Sequence, residues 1–148
     1  MANFSTDTDL TFYQPDILGF GIASFTTPND YHAQAREDIE RELRNKWWGI
    51  HLNQTTRDIT TLGTLLTDAQ WKRCSVFRVI GFYACPLLTK FNSADNKDRF
   101  QVMLDYYQKA YSAEFSEVLR DGVEYDDNND STISLSEKDP YERLRLIR

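Results

Sequence analysis

The residues best suited to chemistry lie near the end of the chain, where Asp126–Glu137 reads DDNNDSTISLSE. Oxygen-bearing residues fall at Asp126, Asn128, Asp130, Thr132, Ser134 and Glu137. These are positions one, three, five, seven, nine and twelve of a calcium loop of the EF-hand type, and apolar Ile133 takes the eighth. A hard cation needs several oxygens around it and a bidentate carboxylate to close the shell. Position seven serves through its backbone carbonyl. Two features weigh against a metal: position six is Ser131 where glycine eases the sharp turn, and Gly122 stops the preceding helical pattern before the loop begins. An acidic, solvated turn is the plain alternative.

Other reactive constellations are not legible. There is no Gly-rich phosphate loop, no recognisable setting for a Ser or Cys nucleophile, and no carboxylate–histidine cluster, so neither an enzyme nor a bound cofactor is expected. His32 and His51 have no Cys or second His at ligand spacing. Cys74 and Cys85 would stand about 16 Å apart along a helix, too far to bridge, and read as core fillers in a reducing compartment. No charged, apolar and cleavable leader is evident in Met1–Phe25, and nothing suggests secretion.

At 148 residues and 41% hydrophobic, the chain can bury the core of one domain. A net charge of -6 argues against a surface that grips nucleic acid, though a duplex could pass such a surface without sticking.

The central element is Thr67–Phe91, TDAQWKRCSVFRVIGFYACPLLTKF. Thr67 with Gln70 reads as an N-cap and its capping-box partner. Between Cys74 and Leu88 the polar side chains are Ser75 and Arg78, so the helix must be covered on nearly every side, with Trp71, Phe77, Ile80 and Leu87 inside. Gly81 would admit a close neighbouring helix, and Pro86 should kink or end the helix near Tyr83. Arg78 interrupts an apolar run already too short for a membrane span.

Asn29 or Asp30 caps an earlier helix reaching Trp48, with Tyr31, Ala35, Ile39, Leu43 and Trp47 as its apolar stripe. Arg36, Glu37, Glu40, Arg41, Glu42, Arg44 and Lys46 make its solvated face. A long amphipathic helix starts near Ser93–Asp95 and runs to about Arg120, and Gly122 stops it. Ile50–Leu66 reads as a connector. Residues 1–28 form an irregular but apolar arm that must lie on its own bundle or on another chain. The expected organisation is therefore an arm at 1–28, a bundle at 29–122, and an acidic loop and tail at 123–148. The fold class is all-α: a small helical bundle with a buried central helix, one long amphipathic helix, an extended arm and a C-terminal docking tail. That tail, Tyr141, Glu142, Arg143, Leu144, Arg145, Leu146, Ile147 and Arg148, is basic and apolar in alternation within an acidic chain.

Taken together, YQPDILGFGIASF, AREDIERELRNKWW, LTDAQWKRCSVFRVIGFYACPLL, DRFQVMLDYYQKAYSAEFSEVLRDGVEYD and the acidic loop before ERLRLIR resemble, in order and spacing, the head–tail adaptor (connector, or neck) proteins of tailed bacteriophages. The resemblance implies a virion protein made in the host cytoplasm. It implies a ring of its own copies, dodecameric by that likeness, below the portal protein. Tyr141, Arg143, Leu144, Arg145, Leu146, Ile147 and Arg148 would dock on the portal, a neck or tail protein would bind the far side, and genomic DNA would cross the lumen without sequence-specific contact. It implies no catalytic residue and no membrane. The alternatives are a calcium-binding helical module built on Asp126–Glu137, and a small helical regulator of a partner protein.

Overall fold

A computed structural model describes residues 2–48, 65–90, 96–126, 128–135 and 137–139. The chain is mostly helical. Helix α1 is Asp7–Tyr13 and α2 is Tyr31–Leu43, which runs on into a π turn at Arg44–Trp48. Helix α3, Asp68–Val79, continues through a second π turn, Ile80–Ala84, into α4, Cys85–Leu88. Helix α5 is Arg99–Asp121, and strands β1 (Val123–Glu124) and β2 (Lys138–Asp139) pair antiparallel after it.

The stripe of α2 goes inward as its spacing requires, with Ala35, Ile39, Leu43 and Trp47 fully buried. Asp30 is the cap that forms, its carboxylate accepting Ala33 N–H at 3.0 Å. The expected solvated face holds one exception. Arg36 is 5% exposed, stacked on the Phe4 ring and bonded to Glu40, Asp68 and the carbonyl of Ala2. Its hydrogen bonds satisfy a charge that would otherwise be costly to bury.

Helix α3 forms the centre, packed against both α2 and α5, and α4 continues along α5. Trp71 and Ile80 are fully buried, but Phe77 is only half-buried and Leu87 is 57% exposed, so the expected inward position of Leu87 is corrected. The helix has by then passed the packed stretch that ends at Cys85. The capping box is corrected as well. Gln70 does not turn back on Thr67. Its amide donates to Gly122 O at 2.8 Å and accepts Glu124 N–H at 3.0 Å, tying α3 to the end of α5 and the start of β1.

Pro86 neither ends the helix at Tyr83 nor breaks it. The π turn before it shifts the ladder, with Cys85 N–H bonding to Ile80 O. In that register the next carbonyl, Gly81 O, would have looked to the N–H that proline lacks. Gln108 on α5 supplies the donor instead, Nε2 to Gly81 O at 3.3 Å.

Helix α5 begins at Arg99 and is capped by Asp98, which accepts Gln101 N–H at 2.8 Å. Its 23 residues span about 35 Å. Tyr107, Tyr111, Phe115, Val118 and Leu119 are buried. Gly122, at φ +105°, turns the chain in a region that residues with a Cβ rarely enter.

The N-terminal segment is not extended throughout. It contains α1, and Phe4, Leu10, Ile17 and Phe25 are at most 2% exposed, Phe4 in one and the other three in the second of two apolar clusters that α2, α3 and α5 share. His51, most of the connector and residues 140–148 lie outside the described residues.

Candidate functional site

The acidic loop is held at both ends by backbone pairing. Tyr125 forms a bridge with Leu66, Tyr125 N–H bonds to Glu137 O at 3.3 Å, and Asp126 N–H bonds to Leu65 O at 3.0 Å. Helices do not flank it directly, as they would in an EF-hand. Strand β1 enters and β2 leaves.

Within this frame the structure brings together the three carboxylates among the six predicted residues. Asp126, Asp130 and Glu137 each offer an oxygen, and these atoms lie within 4.8 Å of one another. Asp126 and Glu137 are buried, at 8% and 5% exposure, while Asp130 is exposed. Asn128, Thr132 and Ser134 bind the carboxylates through their own polar groups. Asn128 Nδ2 donates to Asp130 Oδ2 at 3.1 Å, Thr132 Oγ1 to Asp130 Oδ1 at 2.6 Å, and Ser134 Oγ to Glu137 Oε2 at 2.9 Å.

Backbone donors fix the same oxygens. Asp126 accepts the N–H of Asp130 and of Ser131, at 3.1 and 2.8 Å. Glu137 accepts those of Asn128 and Ser134, at 3.2 and 3.0 Å. Ser131 stands at φ +67°, the left-handed conformation for which position six favours glycine. Serine in this turn therefore adopts the backbone that its side chain was expected to discourage.

The hydrogen bonds also set the charge. The Ser134 N–H, then the Asn128 N–H and the Ser134 hydroxyl, hold the Glu137 carboxyl below its usual range despite burial and the nearby Asp130. The Thr132 hydroxyl and N–H do the same for Asp130. Both are carboxylates at neutral pH. Converging carboxylates of this kind can hold a hard divalent cation.

A second polar constellation escaped the sequence reading, which expected no carboxylate–histidine contact. His32 Nε2 lies 2.9 Å from Asp7 Oδ1, His32 Nδ1 lies 2.8 Å from Ser5 Oγ, and Ser5 Oγ lies 2.7 Å from Ser75 Oγ. The residue types are those of a nucleophile, base and orienter. Yet Ser5, His32 and Ser75 are at most 1% exposed, so no substrate reaches them, and the line clasps the N-terminal segment to α2 and α3. One signal was present: His32 and Arg36 are four apart and flank the apolar stripe of α2, where a side chain turns inward as readily as outward.

A third network surrounds Arg78, which pairs with Asp38 at 3.1 Å and stacks on Phe82, its guanidinium carbon 3.9 Å from the ring centroid. Tyr83 donates to Asp38, and Tyr111 donates to Glu42 at 2.8 Å. Burial first, then Asp38, pushes the Tyr83 hydroxyl up to about 12, so it stays a donor. Among the described residues no helix is long and apolar enough to cross a membrane.

No family model, curated protein or solved structure matches this chain.

Proposed function

We propose that this chain is a head–tail adaptor of a tailed bacteriophage. Its copies assemble into a ring, residues 141–148 dock on the portal, and the genome passes through the lumen. The observation that supports this reading best is the double use of α5. Tyr107, Tyr111 and Phe115 fill the core, yet Val102 and Tyr106, one turn apart, are 56% and 64% exposed. A helix whose early turns carry exposed apolar residues on the side away from its buried stripe is suited to being covered there by a neighbour as well as by its own domain. The acidic composition fits a lumen that DNA crosses without being held.

The test is size-exclusion chromatography with light scattering, with and without portal protein, on the full chain and on a chain lacking Tyr141–Arg148. The full chain should co-elute with portal as a multimer, and the truncated chain should fold normally but fail to join it. A full chain that stays monomeric and ignores portal would overturn the reading.

The convergence of Asp126, Asp130 and Glu137, with Ser131 already in the left-handed turn, favours one second reading, a calcium-binding module. Binding at a Kd near 1 mM would add about 1.4 kcal/mol of stability at roughly 10 mM calcium. Differential scanning calorimetry should then show a rise of a few degrees that Glu137→Gln removes. No rise at that concentration rejects this reading.

A further inference from the structure

We infer that the N-terminal segment, residues 2–25, is exchanged between copies, so that in the assembly each copy's segment fills the seat on its neighbour. The inference rests on the ring reading and says what joins one copy to the next.

Three observations carry it. The first is the seat. Leu10, Ile17 and Phe25 are completely buried among Ala35, Val76, Val79, Ile80 and Tyr107, residues that belong to α2, α3, the π turn and α5. The segment thus occupies a cleft built by the rest of the chain.

The second is a polar register that fits one arm in one place. Ser5 meets Ser75, Asp7 meets His32, and Gln14 donates to the Tyr107 hydroxyl at 2.8 Å. Each of these contacts joins the segment to the body, so each forms identically whether the segment comes from the same chain or from another. The bond across the link, Tyr31 N–H to Phe25 O at 2.8 Å, is equally indifferent to which chain supplies Phe25.

The third is the link itself. Thr26–Asp30 are all exposed, lying between fully buried Phe25 and the start of α2. Straightened, the five residues reach about 17 Å. Exchange re-forms the contacts between segment and body and puts at stake only the local bonds of the link, Ser24 with Thr26 and the Asp30 cap on Ala33 N–H, which makes it a low-cost route to assembly. Around a closed ring each exchanged arm raises the effective concentration of the next.

The Ser5–Ser75 contact gives the test. At 2.7 Å between the hydroxyl oxygens, cysteines at these two positions can form a disulfide, and each single variant alone, which keeps native Cys74 and Cys85, reports any pairing through those thiols. Chains carrying Ser5→Cys are mixed with chains carrying Ser75→Cys, unfolded, refolded and assembled together, then oxidised. A third chain carries both substitutions. Exchange predicts a covalent dimer of twice the chain mass on a non-reducing gel in the mixture, absent when either single variant is treated alone. If the double variant closes within one chain, and the mixture assembles yet yields no dimer, the segment stays on its own body. The exchange inference then falls while the ring reading stands. If wild-type chains form no multimer with or without portal, both fall.

Discussion

Gly81 lies so close to α5 that a Cβ there would sit 3.0 Å from the backbone nitrogen of Gln108 and 3.1 Å from Tyr107 Cβ. Two helices touch through backbone at this point, and Gln108 completes the contact by bonding Gly81 O. Elsewhere in a helix, Gly→Ala would gain about 1 kcal/mol from propensity. Here the methyl group must push backbone aside, an overpacking cost of about 1–3 kcal/mol. Gly81→Ala should therefore lower stability in urea unfolding, and a stabilised variant would mean that α5 yields freely.

Ile80 and Leu87 have similar hydropathy and lie on one continuous helical path, but Ile80 is fully buried and Leu87 is 57% exposed. Ile80→Ala should cost about 2–5 kcal/mol, the range for a large-to-small change in a packed core. Leu87→Ala should cost no more than about 0.5 kcal/mol. The pair of denaturation midpoints checks the placement of the helix end.

Among the described residues three carboxyls titrate below their ordinary range. Asp98 is held down chiefly by Lys90 N–H, with Gln101 N–H and the Thr89 hydroxyl adding to it; Asp130 and Glu137 are held down by their loop bonds. Because the folded state binds these protons less tightly than the unfolded state, the stabilisation is fully present above the usual carboxylate range. It is lost as pH falls through the folded values. Melting temperature should therefore hold between about pH 7 and 5 and drop below about pH 4. Asp98→Asn should flatten part of that drop. A melting temperature that rises on acidification would contradict the assignment.

Burial pushes the thiol of Cys85 up to about 12 and raises that of Cys74 further. Since the thiolate is the reactive form, neither should be labelled by a disulfide reagent at pH 8 while the protein is folded. Both should react once guanidinium unfolds it. Labelling of the native protein at the rate of a free thiol would show that the core opens readily.

Much of this fold is written locally. The stripe of α2, a polar cap at Asn29 or Asp30 and the stop at Gly122 follow from helix periodicity, from the needs of a helix's first N–H groups and from the special backbone freedom of glycine. These are properties of neighbours in sequence. The loop is legible in part, because ligand spacing is local too: Asp126, Asp130 and Glu137 could be named before any contact was known.

What sequence alone could not decide is which of several permitted partners a side chain takes. Gln70 can cap its own helix or bridge to Gly122 and Glu124, and packing of α3 against the end of α5 selects the bridge. Pro86 can end a helix or ride through it, and the outcome depends on Gln108, a donor 22 residues away. His32 and Arg36 stand at the edge of an apolar stripe, and they turn inward because Ser5, Asp7 and Asp68 arrive there to satisfy them. Ser131 enters the left-handed region because strand pairing at both ends fixes the span of the loop, and the Asp126 carboxylate holds the serine's N–H. Each of these choices balances a polar or steric cost against a partner far away in the chain, and only the folded chain brings that partner within reach.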